Sequence, residues 1–214
     1  MSINQPNRGK KSNPQIAVAV LIGVLLLLVF LLPRPNYPEV AEQRLLDDPY
    51  LGNPNAPIVL IEYGDYACEV CRLWQRAQVR QGLLERYPDQ ILFVWRDNAR
   101  RSTASIKAAE AGQCAHNQGR FWKYHDLLFE EGEGLGVEAL KSYAVRLGLD
   151  VEKFNRCLDE GQMRRKVEFD MRRAGEHGFS VTPAFWLNGE KIFGPPSLNY
   201  LSEIIEGQLA ESPP

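Results

Sequence analysis

The sequence predicts an α/β domain interrupted by a block of helices, with an apolar segment ahead of it. Three observations carry this. Residues 58–95 read as strand, helix, strand with short links; residues 103–176 read as successive helices; and residues 183–205 return to strand, turn, strand and a closing helix.

The elements follow in order. Ile58-Val59-Leu60-Ile61 is a continuous, largely β-branched run, the pattern of a strand buried on both faces. Asp65 or a neighbour can then cap a helix from about residue 68, with Val70, Leu73, Trp74, Ala77, Leu84 and Tyr87 as its apolar stripe. Tyr87-Pro88-Asp89 stops that helix, and 91-ILFVW-95 gives a second buried strand. Strand, helix and strand with short links imply parallel strands joined by a right-handed crossover.

The middle is helical. Residues 103–116 are alanine-rich and 121-FWKYHDLLFE-130 is aromatic, after which 132-GEGLG-136 breaks the pattern. Val137, Leu140, Ala144 and Leu147 then keep one helical face, and Gly148 sits where a C-cap belongs. Asp150 can cap a helix carrying Val151, Phe154 and Leu158, and a charged helix covers about 162–176. In 183-PAFWLNGEKIFG-194 two strands flank Asn188-Gly189, a strong short-range hairpin signal. Ser197 can cap a last helix with Leu198, Leu201, Ile204 and Ile205 inside.

The N-terminus is of another kind. Residues 16-IAVAVLIGVLLLLVFLL-32 are uniformly apolar apart from one Gly. Seventeen residues at a helical rise reach roughly 25 Å, the short end of a membrane span. A basic start followed by an apolar run also describes a cleavable signal peptide. This run exceeds a typical signal core, and stiff 33-PRPNYPEV-40 follows it without a small-x-small site, which favours an anchor. Arg8, Lys10 and Lys11 precede the span and only Arg34 follows closely, so the N-terminus is expected inside and the domain outside. The expected organisation is a polar tail at 1–15, a membrane helix at 16–32 and a linker at 33–56. The domain follows at 57–208 with its helical insertion at about 102–160, and a tail at 209–214.

Charge excludes one partner class. The formal net charge is −2 with scattered Lys and Arg, which gives no support for binding nucleic acid. Outside the cytoplasm, in turn, disulfides form and persist, and the chain has four cysteines.

Two of them, Cys68 and Cys71, lie three apart where the first strand meets the helix. A thiol at a helix N-terminus is favoured as thiolate, and a second thiol one turn on can resolve a mixed disulfide. The residues also admit half a zinc site, needing two further ligands, and an inert disulfide, which would staple almost nothing. Cys114, Cys157 and the three histidines are the remaining ligand candidates, none in a paired motif.

Several motifs together resemble the DsbA-like thiol–disulfide oxidoreductases of the thioredoxin superfamily, across about residues 47–208. They are Leu51-Gly52-Asn53-Pro54-Asn55-Ala56-Pro57, Glu62-Tyr63-Gly64-Asp65-Tyr66 running into Cys68-Glu69-Val70-Cys71, Phe121 to Phe129, Thr182-Pro183-Ala184-Phe185, and Asn188-Gly189. The resemblance implies a thioredoxin fold with a helical insertion. It implies that Cys68 is the solvent-exposed attacking thiol and Cys71 the resolving one. Pro183, with Thr182 before it, would be a cis-proline beside the pair whose loop holds the substrate backbone. Glu62 would be an acid beneath the site exchanging protons with Cys71; a solvent-facing strand-end Glu is the alternative. Glu69 departs from the commonest pattern, which has proline there; a carboxylate beside the nucleophile disfavours its thiolate and makes the disulfide less oxidising. Several relatives carry a cysteine pair in the helical block, so a Cys114–Cys157 disulfide is expected over two free buried thiols. His125 reads as a packed helix residue, and Phe121, Trp122 and Phe129 as core.

The expected activity is disulfide formation or exchange in reduced exported proteins, with no cofactor. A membrane quinone-linked partner would reoxidise the pair. Reductase or isomerase action on the same scaffold, and a Cu(I)- or Zn-binding chaperone using the same cysteines, are the rival readings.

Overall fold

A computed structural model of the protein describes residues 47–130 and 134–211, within the compact unit Glu42–Pro214. The predicted membrane span at 16–32 and the glycines at 132 lie outside the described residues or straddle their edge. Among the described residues no helix is long and apolar enough to cross a membrane.

The chain enters through β1 (Tyr50–Gly52), crosses the centre in β2 (Ile58–Gly64), and passes through α1 (Glu69–Arg76) and α2 (Val79–Arg86) to β3 (Ile91–Asp97). Five helices follow: α3 (Thr103–His116), α4 (Phe121–Glu130), α5 (Val137–Arg146), α6 (Val151–Asp159) and α7 (Arg164–Glu176). The hairpin of β4 (Ala184–Leu187) and β5 (Glu190–Phe193) and the helix α8 (Leu198–Glu211) close the domain. The sheet runs β1-β3-β2-β4-β5, with β2 and β3 parallel and the other neighbours antiparallel. This is a thioredoxin-like α/β fold with a helical insertion.

Both sheet faces are covered, as continuous apolar strands require. Leu60, Phe93, Phe185 and Leu187 pack with Trp74, Leu83, Leu201 and Ile205. Ile61, Tyr63, Leu92 and Val94 pack on the other side with Ala174 and Phe179. Lys166 on α7 bridges Asp48 and Asp170 at 2.7 and 2.6 Å, and Arg96 of β3 meets Asp48 at 2.8 Å. A buried ionic cluster thus ties α7 to the sheet. The inserted helices share a core with the active-site turn, in which Tyr66, Trp95, Phe121, Tyr124, Phe129 and Phe154 are all buried.

Local chemistry places the joints. Gly148 adopts φ 67° after α5, Asp150 accepts the Lys153 N–H at 3.0 Å, and Ser197 Oγ accepts the Tyr200 N–H at 3.2 Å. Asn188 and Gly189 take φ of 42° and 104°, and Asn188 also binds Val59 N–H and Pro57 C=O, locking the hairpin to β2.

Four expectations need correction. The helix expected to run from 68 to Tyr87 is two helices, because Gln78 is left-handed at φ 54°. Its stripe is also rotated. Cys71 and Trp74 face the core, while Val70 and Leu73, one residue round the helix, are 37% and 55% exposed. Within the stretch read as linker, Tyr50–Gly52 pairs with β3 as an edge strand too short to show a period. At the far end, α8 continues through Glu211, past the tail boundary expected at 209.

Candidate active site

The site begins where β2 ends. Asp65 takes over from the strand: its Oδ1 accepts the Ala67 N–H at 2.9 Å and its main-chain carbonyl accepts the Cys68 N–H at 3.0 Å. Instead of capping the helix, Asp65 shapes the turn into it. The cap is Cys68 itself, whose Sγ accepts the Cys71 N–H at 3.4 Å. The Cys68 sulfur therefore occupies the position where the first turn's free N–H groups and the helix dipole favour an anion.

The sheet supplies the opposite wall. Pairing of β4 with β2 sets Ala184 against Tyr63 and Phe185 against Glu62. The chain just before β4 thereby lies beside the cysteines. The Thr182–Pro183 peptide is cis, and the Cys68 thiol donates to the Thr182 carbonyl at 3.2 Å. Arg101, in the loop after β3, brings Nη2 to 3.6 Å from the same sulfur.

Cys68 and Cys71 are unbonded and fully buried. The resemblance implied an exposed Cys68; here Thr182 and Arg101 cover it, so an incoming thiolate reaches Sγ only as that cover moves aside. The two thiols are electrically unlike. Cys68 is held down to about 5, chiefly because the Cys71 thiol hydrogen-bonds to it, with the Thr182 side chain and the Arg101 guanidinium also lowering it against the penalty of burial. Cys71 is pushed far up, first by burial, then by donating to Cys68 and by the nearby Glu62 carboxylate. One sulfur is a ready thiolate at neutral pH, and the other keeps its proton.

Glu62 is 1% exposed on β2, between Trp95 and Phe185 in register. No protein group hydrogen-bonds either carboxylate oxygen. Burial pushes it up to about 8, with Arg80 opposing and Cys68 adding. The solvent-facing alternative for Glu62 does not apply. A carboxyl protonated at neutral pH can give a proton to Cys71 as that sulfur leaves a disulfide.

A pH dependence follows. Glu62 has a folded-state pKa above its ordinary 4.5, so stability present below that value is lost as pH rises toward about 8. For the oxidised protein, in which the cysteines do not titrate and burial alone raises Glu62, Glu62 should remove up to about 3 kcal/mol between pH 4.5 and 7. Denaturant unfolding of oxidised wild type and Glu62→Gln across that range measures it. The variant should show a shallower decline; parallel curves would refute the assignment.

The other predicted residues separate. Glu69 is 62% exposed at its side chain and pairs with Arg72 at 2.9 Å, so its charge is answered before it reaches the sulfur. Cys114 and Cys157 form a disulfide between α3 and α6. His125 is buried, its Nδ1 within 3.1 Å of the Tyr66 hydroxyl, and burial pushes it well down, leaving it neutral. Among the described residues no group of three or more His, Cys, Asp and Glu is arranged to hold a metal. Sequence reasoning missed Arg101 and gave Asp65 a different task. Asp65 Oδ2 accepts the N–H groups of both Arg100 and Arg101, at 3.0 and 3.1 Å.

A family model described as Thioredoxin matches residues 45–207. Among solved structures, Wolbachia pipientis alpha-DsbA1 aligns with a TM-score of 0.68 and 25% identity, covering 85% of this chain and 95% of that one. BdbD from Bacillus subtilis, in its oxidised form, gives 0.68 and 23%, covering 78% and 95%. Among curated sequences, the Na(+)/H(+) antiporter NhaA 3 of Salinispora tropica is 31% identical over 163 residues, which are 75% of this chain and 24% of that protein. An antiporter NhaA 1 from a Mycobacterium species is 34% identical over 170 residues, 77% and 26% respectively. The chain spans about a quarter of the length of these curated relatives, and the antiporter name belongs to proteins that lie mostly outside the match. By the family model and by the fold that surrounds its cysteine pair, the chain belongs to the thioredoxin family, as a DsbA-like member.

Proposed function

We propose that the protein is a protein thiol–disulfide oxidoreductase that works as an oxidase of newly exported polypeptides. The observation that carries this is the asymmetry of the pair: Cys68 caps α1 as a stabilised sulfur, and Cys71 lies buried behind it beside Glu62. In the forward reaction a substrate thiolate attacks Cys68 Sγ, and the Cys68–Cys71 bond breaks with its electron pair on Cys71. That sulfur takes the proton of Glu62. A second substrate thiolate then attacks the substrate sulfur of the mixed disulfide and expels Cys68 as thiolate. The substrate loses two electrons and the pair gains them.

Exposed Val70, Leu73 and Val181 flank this chemistry and suit an unfolded polypeptide chain. Glu62 would act as the proton donor, Thr182 and Pro183 as the substrate-backbone clamp, and Cys114–Cys157 as a brace. The apolar run 16–32 would anchor the protein, with residues 1–15 inside and the domain, from the Tyr50–Gly52 edge strand onward, outside. A quinone-linked membrane partner would return the pair to its disulfide.

The reduction potential tests the direction. Equilibration against glutathione should place the pair nearer about −120 mV than −270 mV, because a stabilised reduced form makes a stronger oxidant. A value at the thioredoxin end would make the protein a reductase.

A further inference from the structure

Cys68 has an unusual set of neighbours for a thiolate. Its motif partners offer no cation, since the residues between the cysteines are Glu69 and Val70. The charged and titratable groups that face it are Cys71 from α1, Glu62 from β2 and Arg101 from the loop after β3. Of these, Arg101 alone is a cation, 3.6 Å from Sγ.

That contact is built into the fold. Gly64 pairs with Asp97 at the end of the parallel β2–β3 ladder, so the two strands release their loops side by side. Asp65 then joins the loops: one carboxylate oxygen holds the Ala67 N–H and the other holds those of Arg100 and Arg101. The same carboxylate thus fixes the turn that presents Cys68 and the backbone that carries Arg101. Arg100 is tied down separately, to Asn98 Oδ1 at 2.6 Å and the Met171 carbonyl at 2.9 Å, which leaves Arg101 as the guanidinium directed to the sulfur.

We propose that Arg101 is a catalytic residue of the exchange, the partner of the Cys68 sulfur when that sulfur leaves the mixed disulfide as thiolate, and that Asp65 positions it. The proposal rests on Cys68 being the exchanging thiol. It gives this chain's oxidising power a source outside the dipeptide between the cysteines. An opposite charge at this distance favours the thiolate and so the reduced pair, which improves the leaving group and makes the disulfide easier to reduce.

The experiment compares reduced wild type with Arg101→Met, Arg101→Lys, Asp65→Asn and the Arg101→Met/Asp65→Asn double variant. Two readouts are taken: the pH dependence of Cys68 alkylation by iodoacetamide, and the equilibrium constant with glutathione. Arg101→Met should slow alkylation near pH 5 several-fold and lower the equilibrium oxidation of glutathione in the same direction. Arg101→Lys should recover much of both. Asp65→Asn should move both readouts the same way, and its effect on top of Arg101→Met should be smaller than on wild type, because part of it acts through the Arg101 contact and the rest through the Cys68 turn. Arg101→Met titrating with wild type would overturn the proposal, as would a Lys variant no faster than the Met one. A wild-type pair that titrates with Arg101 but never exchanges with glutathione would instead overturn the oxidoreductase reading, so the two failures are separable.

Discussion

With Cys71 replaced by Ala, the protein is expected to hold exported proteins as thiol-cleavable adducts on Cys68, whereas Cys68→Ser holds none. Both variants should reduce catalysed oxidative refolding of a reduced substrate to the uncatalysed rate. The asymmetry of the two sulfurs sets this outcome. Cys68 caps the helix under the Thr182 loop and Arg101, whereas Cys71 lies one turn into the helix beside Glu62, which can protonate it as it leaves, so a polypeptide thiolate takes Cys68 as its first target. Once a mixed disulfide forms on Cys68, the Cys71 sulfur one helical turn away is the fastest competitor for it. A held intramolecular nucleophile corresponds to an effective concentration on the order of 10⁵ M. Its loss should lengthen the adduct's lifetime by at least about 10³-fold, long enough for acid trapping and identification by mass spectrometry. Adducts captured equally by the Cys68→Ser variant would sink the assignment of roles, and a culture yielding no adducts on Cys71→Ala would sink exchange on protein thiols altogether.

What the sequence made legible here is what depends on neighbours along the chain. The runs at 58–61 and 91–95, the Asn188-Gly189 turn and the caps at Asp150 and Ser197 each carry their own cause within four residues, and each element is present. The cysteine spacing is equally local. Gln78 shows the limit: left-handed backbone is disfavoured for glutamine, and only the packing of Val79 and Leu83 under the sheet makes the break worthwhile. Without it, the stripe was drawn through Val70 and Leu73, which instead face solvent beside the pair.

The charges around Cys68 were illegible for the same reason. Glu69 adjoins the cysteine in sequence, yet its carboxylate is engaged by Arg72. Arg101 is far away in sequence and reaches the sulfur because β2 and β3 end in register. Glu62 was ambiguous because a strand buried on both faces has no solvent side to betray a polar residue; burial and the lack of a hydrogen-bond donor emerge only when β3 and β4 flank it.

Removing the second disulfide should cost a large part of the stability of the fold. Cys114 and Cys157 are 43 residues apart, joining α3 to α6 across the insertion. In the chain-entropy account, a closed loop of that length stabilises the fold by about 4 kcal/mol. The double variant Cys114→Ala/Cys157→Ala should therefore unfold at a clearly lower denaturant midpoint, measured on protein whose Cys68–Cys71 pair is held in one redox state. Selective chemistry provides the control. Cys114 and Cys157 are enclosed with Phe154, Leu158 and Tyr124, whereas Cys68 is covered at the turn by the Thr182 loop and the Arg101 side chain, which can move aside, so a mild thiol should open Cys68–Cys71 while leaving this bridge closed. Thiol counting after such treatment should return two free sulfurs, and four only after unfolding. A stability loss below about 1 kcal/mol would show that the insertion is held by its apolar core and that the unfolded chain gains little freedom when the bridge is gone.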